Sequence, residues 1–163
     1  MTTTHREFTA EIRAEPERLF ELIADLPNYN RWLPGSTLFG KVIDVAPYPV
    51  CNGTSYIDVG PGGKLTGAVT ECDAPRCIAF HQTMSMRRGP LAADLDIRVR
   101  YTLDPVDGAT RVTRAIDLTI EPSGITRLAA PLVRGSIFRE NARILAMLKR
   151  YAEEPSNSKT NLD

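Results

Sequence analysis

Tyr101 and Arg114 are the residues of this sequence with the most chemistry to offer. They lie on two strand-like segments, 91 to 103 and 110 to 120, and counting back from the turn PVDGA (105 to 109) sets them directly opposite each other. A guanidinium beside a phenol inside an apolar cup can hold a carboxylate, an enolate or a carbonyl oxygen, and the phenol can donate a proton. The alternative is an arginine whose head reaches the sheet edge while its stem packs on Tyr101. The same counting leaves Glu71 and Gln82 as the other inward polar groups. His81 is the central histidine and the obvious general base, but it falls on the outer face opposite Ala68. Cys72 and Cys77 fall opposite each other, near enough in principle for a disulfide. With two histidines far apart and no CxxC or HxxxH spacing, neither a metal site nor a cofactor is expected. No nucleophile has an adjacent base, and no carboxylates are paired.

The elements that must position these residues follow from periodicity. REFTAEIRA (6 to 14) alternates as a strand with one wet face, and EPERLFELIADL (15 to 26) spaces Leu19, Phe20, Ile23 and Leu26 as a helix with Pro16 at its start and Pro27 at its end. Tyr29 to Leu33 supply a second short helix, released by Pro34-Gly35. Strand-like segments then run over 36 to 46, 54 to 60, 64 to 73, 76 to 84, 91 to 103 and 110 to 120, each bounded by Gly, Pro, Asp or Asn. GPGG (60 to 63) reads as a plain hairpin turn, because no Lys-Ser or Lys-Thr follows it. From 123 to 154 the apolar period becomes three to four, which predicts one long helix bent at Pro131. Residues 1–154 thus form a single domain, and the polar stretch 155–163 is expected to be a disordered tail.

Turn lengths predict the register. Across DAPR (73 to 76), Cys72 meets Cys77, Val69 meets Phe80 and Leu65 meets Met84; across RRGP (87 to 90), Met86 meets Leu91, Phe80 meets Ile97 and Ile78 meets Val99. Across PVDGA, Leu103 meets Val112, Val99 meets Ile116 and Ile97 meets Leu118. One face is apolar throughout. The other collects Cys72, Cys77, His81, Asp94, Asp96, Arg98, Arg100, Thr113, Asp117 and Thr119, a face best left in water. One long helix, about 10 to 12 Å across, must then cover a seven-stranded sheet, so the sheet curls around it and leaves volume suited to an apolar ligand. Its expected lining is Tyr56, Val69, Phe80, Gln82, Met84, Leu95, Ile97, Tyr101 and Arg114 from the sheet, Leu128 and Leu132 from the helix, and Trp32 from the connection. Trp32 either closes one end of the cavity as scaffold or touches ligand directly.

Composition narrows the function classes. At 163 residues the chain can bury roughly two thirds of its unfolded surface without disulfides or metal. Twenty basic and twenty acidic residues give no net charge, which argues against nucleic-acid binding. The opening MTTTHREFTAEIRAE has no apolar segment, no run of about 18 apolar residues exists anywhere, and the three cysteines suit a reducing compartment, so a cytoplasmic protein is expected. Between 123 and 154 there are six basic and three acidic residues, among them Arg134, Arg139, Arg143, Lys149 and Arg150. That is a solvated face, or a surface for transient contact with a membrane.

The order strand, helix, short helix, six strands, long C-terminal helix resembles the START-like, helix-grip or SRPBCC superfamily, and its polyketide cyclase/dehydrase branch in particular. The resemblance rests on PERLFELIADLPNYNRWLPG, VTECDAPRCIAF and LVRGSIFRENARILAMLKRYAEE. It implies an α+β helix-grip fold that binds a small hydrophobic or amphipathic molecule, such as a lipid, isoprenoid quinone or polyketide-like compound, between sheet and helix. It leaves two classes open: a carrier or binding module, and a cyclase or dehydratase using Tyr101 and Arg114.

Overall fold

The computed structural model describes residues 2–155, so the tail expected over 155–163 lies outside the described residues apart from Pro155. Alternation makes β1 (Thr2–Ile12), which begins earlier than its apolar pattern because Thr2 to His5 continue the pairing with the strand of residues 109–123. Pro16, whose fixed φ suits a first helical turn, opens α1 (Pro16–Ala24), and Leu19, Phe20 and Ile23 bury one face. α1 stops at Ala24, short of the expected 26. A 3₁₀ segment, Leu26–Arg31, follows in place of a helix over 29 to 33, and Pro27 sits inside it instead of ending α1. Residues 36 to 40 are not strand. Ser36 Oγ accepts the backbone N–H groups of Leu38 (3.2 Å) and Phe39 (3.1 Å), a local alternative to a sheet ladder.

The remaining elements are β2 (Lys41–Ala46), β3 (Ser55–Gly60), β4 (Gly63–Asp73), β5 (Cys77–Arg88), β6 (Leu91–Val106), β7 (Ala109–Ser123) and α2 (Thr126–Glu153), the last unbroken through Pro131. GPGG is indeed a hairpin turn, with Gly60 paired to Gly63. The strands form one antiparallel sheet of order β1-β7-β6-β5-β4-β3-β2. Its inner face, with Leu65, Val69, Ile78, Phe80, Ile97, Val99, Ile116 and Leu118, packs against the α2 stripe Ile137, Ile144, Leu145 and Leu148. This is the helix-grip fold: a curved sheet around one long helix.

Two register expectations fail for identifiable reasons. β5 and β6 pair two residues away from the expected register, Phe80 with Val99 and Ile78 with Tyr101, because they turn tightly through Gly89-Pro90 with Gly89 at φ 60. A shift of two leaves every side chain on its expected face. Between β4 and β5 the pairs Leu65–Met84 and Val69–Phe80 hold, but a bulge at Thr70 then brings Glu71 opposite Ala79, Cys72 opposite Ile78 and Asp73 opposite Cys77. One extra residue reverses the faces beyond it. Glu71 therefore points outward, where it takes both ends of the Arg100 fork at 2.9 and 3.2 Å, and Cys72 turns toward the core. The two cysteines are not opposed and lie on opposite faces; both are free thiols.

Candidate functional site

The sheet carries Tyr101 and Arg114 to directly facing positions on β6 and β7. Both are buried, Arg114 at 4% exposure. The guanidinium does not reach the sheet edge. It lies over the Tyr101 ring, 4.8 Å from the centroid, and Nη1 donates to the Tyr101 hydroxyl. Nε and Nη2 both donate to Asn141 Oδ1, at 3.0 and 2.7 Å, and Asn141 Nδ2 donates to Ile137 O at 2.8 Å, which turns the amide oxygen toward the arginine. No carboxylate among the described residues pairs with Arg114. The cation is thus held by neutral groups alone, and a guanidinium has five N–H donors, of which three are used here.

Further polar groups face the same space. Gly67 on β4 lets the ring of Tyr56, its neighbour on β3, lie across it; a Cβ there would overlap that ring. The Tyr56 hydroxyl consequently reaches Gln82 on β5, whose Nε2 donates to it at 2.6 Å, while Gln82 Oε1 is buried without a partner among the described residues. Asp58 on β3 accepts from the Tyr29 hydroxyl (2.5 Å) and from Gly40 N–H (2.8 Å), fastening the 3₁₀ segment and the following loop to the sheet. Burial pushes the Tyr101 phenol up from its ordinary pKa against the lowering effect of Arg114, and burial likewise raises Tyr29 and Tyr56. All three phenols keep their protons at neutral pH.

The side chains of Tyr29, Tyr56, Asp58, Gln82, Tyr101 and Arg114 line one cavity of about 70 Å³, with Asn141 behind Arg114. Trp32, Tyr56, Phe80, Gln82, Tyr101 and Arg114, six of the twelve residues expected there, border it together with Tyr29, Asp58 and Ile144. Trp32 is also scaffold: its Nε1 donates at 3.0 Å to Leu22 O, a carbonyl in the last turn of α1 that lacks a helical donor. Val69, Met84, Leu95 and Ile97 are buried in the core but do not border the cavity. Leu128 and Leu132 point into solvent, 87% and 77% exposed, because Thr126 is the one buried residue of α2 before Ile137. His81 lies on the outer face opposite Ala68, 2.8 Å from Asp96.

The volume expected between sheet and helix is present but small, with Tyr56, Phe80, Tyr101 and Arg114 all buried around it. A larger hollow of about 640 Å³ lies outside, among Thr66, Thr83, Asp96 and Thr119, and gathers none of the buried polar groups. Asn141, Asp58 and Tyr29 lie outside the lining that strand parity and helical spacing predict. The signal for Asn141 was a polar side chain within an apolar helical stripe, and for Asp58 a shared strand parity with Tyr56. Among the described residues no three His, Cys, Asp or Glu side chains gather as a metal site, and no helix is long and apolar enough to cross a membrane.

The family model described as polyketide cyclase / dehydrase and lipid transport matches residues 3–153. Among solved structures, the di-domain ARO/CYC BexL from the BE-7585A biosynthetic pathway superposes with TM-score 0.66 at 15% identity, over 94% of this chain and 51% of that one; the chain spans about half its length. Protein Ms6760 from Mycobacterium smegmatis gives TM-score 0.58 at 20% identity, covering 90% of this chain and 89% of that one. Truncated norcoclaurine synthase from Thalictrum flavum gives 0.61 at 12% identity, covering 94% and 96%. At these identities the likeness is one of fold. No curated protein matches.

Proposed function

We propose, from the premise that the chain belongs to the polyketide cyclase / dehydrase and lipid transport family, that it binds a small amphipathic molecule whose acidic or enolic oxygen meets Arg114. The observation that carries this reading is a buried guanidinium held by Asn141 and Tyr101 with no carboxylate partner among the described residues. Burying an ion costs several kcal/mol even after relaxation, and an incoming anion offsets that cost in the bound state. The apolar remainder of the ligand then sits against Trp32, Phe80 and Ile144. The protein acts as a carrier or binding module.

Volume limits the ligand. About 70 Å³ accommodates a few ordered waters, and a cavity known to admit benzene measures roughly 150 Å³. A ring-sized ligand enters by widening the wall made of the 3₁₀ segment and the loop through Phe39, which no ladder of strand hydrogen bonds holds. Lipids, isoprenoid quinones and polyketide-like chains need a wider opening still.

Trp32 is the chain's single tryptophan, so its indole N–H is one resolved NMR signal at the cavity wall. Benzoate should shift it at lower concentration than benzyl alcohol. Arg114→Met should weaken benzoate by about 1.5 to 3 kcal/mol, the worth of a charged hydrogen bond, and spare benzyl alcohol. Benzoate affinity unchanged in Arg114→Met refutes the reading. The contact between Arg114 and the Tyr101 phenol favours a second reading, a cyclase or dehydratase in which Tyr101 donates a proton and Arg114 holds the oxyanion. That reading requires Tyr101→Phe to abolish a turnover while affinity and fold stay intact.

A further inference from the structure

We infer that the ligand of this cavity carries, besides the oxygen that meets Arg114, a hydroxyl group that docks on the Tyr56–Gln82 pair. The inference rests on the binding function proposed above and adds a second polar anchor to it. Gln82 is 7% exposed and borders the cavity, and its Oε1 has no partner among the described residues. The other buried polar side chains around the core are matched: Asp58 by Tyr29 and Gly40, Glu140 by Ser36 and Arg143, Thr110 by Ala14 O. Arg134 Nε, likewise without a partner among the described residues, is not at the cavity wall. The unmatched oxygen is therefore specific to this place, where leaving it dry has a real cost.

The chemistry of the pair selects the group. With Gln82 Nε2 donating to Tyr56, the pair offers the cavity a free carbonyl acceptor and the Tyr56 proton. With the amide turned over, Tyr56 donates to the oxygen and the Gln82 N–H groups face the cavity instead. A hydroxyl, which donates and accepts, completes either arrangement. A second carboxylate would meet the Oε1 dipole head-on in the first, and an apolar group satisfies neither. Gly67 supports the same conclusion, because the missing Cβ is what lets Tyr56 lie flat enough to bring its hydroxyl to Gln82. In the free protein a water can fill this position. The ligand class is then a small hydroxylated acid, its acid and hydroxyl separated by the cavity's apolar wall.

Benzoate and its three monohydroxylated isomers test this, because they move one hydroxyl around a ring of fixed size. Binding is read from the Trp32 indole N–H, with thermal unfolding confirming that each variant is folded. At least one isomer should bind the native protein about tenfold tighter than benzoate. That advantage should vanish in Gln82→Met, which keeps the length of the side chain without its polar end, and benzoate itself should stay within about twofold. Tyr56→Phe should reduce the advantage and decides the matter if Gln82→Met does not fold. The inference is overturned if no isomer outbinds benzoate, or if the preference survives both substitutions. Arg114→Met should weaken all four acids together. Loss of that effect alone refutes the reading of Arg114, whereas loss of the hydroxyl preference alone refutes only the second anchor. Binding by none of the four overturns both.

Discussion

Replacing Trp32 with Ala removes a side chain that is 4% exposed, packs among Leu22, Ile23 and Leu33 in the core, and caps α1 through Leu22 O. Truncating a buried aromatic costs about 3 to 5 kcal/mol, and the lost hydrogen bond adds about 1 kcal/mol. The total, about 4 to 6 kcal/mol, is a large share of the 5 to 15 kcal/mol or so that stabilises a domain. At about 2 to 4 °C per kcal/mol for a chain of this size, Trp32→Ala should melt roughly 10 to 20 °C below the native protein. Circular dichroism is the appropriate assay, since the substitution removes the fluorophore. Trp32→Phe separates the two contributions: it keeps a ring in place and loses the N–H, so it should cost about 1 to 2 kcal/mol, near the hydrogen-bond term. A drop below about 5 °C for Trp32→Ala, on the scale just given, would show that the junction repacks without the indole. Equal losses in the two variants would show that the Leu22 contact, and not the ring, holds the junction.

The pKa of His5 is raised above its ordinary 6.5, chiefly by its hydrogen bond to Asp117 and then by Glu7. A raised value in the folded state means that its stabilising contribution is complete below the unfolded pKa and is lost as pH rises through the folded one. An NMR titration should place the His5 midpoint above 6.5, and Asp117→Asn should lower it; a midpoint at or below 6.5 contradicts the contact. Along α2 the fully buried residues after Thr126 begin only at Ile137, and Pro131 removes one helical donor. Amide hydrogen exchange should accordingly be faster over 127–136 than over 140–150, and equal protection in the two stretches would refute this.

How much was legible in advance depended on how local each determinant was. Parity along a strand is local, so the inner and outer faces of β5, β6 and β7 follow from alternation alone, and a two-residue error across Gly89-Pro90 left them intact. The facing of Tyr101 and Arg114 was legible for the same reason, because the short turn at Asp107-Gly108 joins their strands directly. The bulge at Thr70 was not, since no Gly or Pro marks it, and a single inserted residue exchanged the faces of Glu71 and Cys72. Periodicity also placed Leu128 and Leu132 on the helix stripe, yet a stripe is buried only where a partner surface reaches it, and the curled sheet covers α2 chiefly from Ile137 onward.

By itself, then, the sequence determined the element order, the two faces of β5, β6 and β7, the α+β class and the identity of the Tyr101–Arg114 pair. Those follow from periods of two and of three to four and from turns of a few residues, all set within neighbouring stretches of chain. Tertiary structure alone decided which way the Arg114 head turns, that Asn141 from α2 would hold it, that Asp58 would anchor Tyr29, and that Gln82 would keep an unmatched oxygen. These contacts join residues from separate elements, and their geometry is set by how tightly the sheet curls and at what height the helix crosses it. It also decided the small size of the cavity. The space between a curved sheet and a helix depends on the summed volumes of side chains contributed by every element, which no local pattern contains.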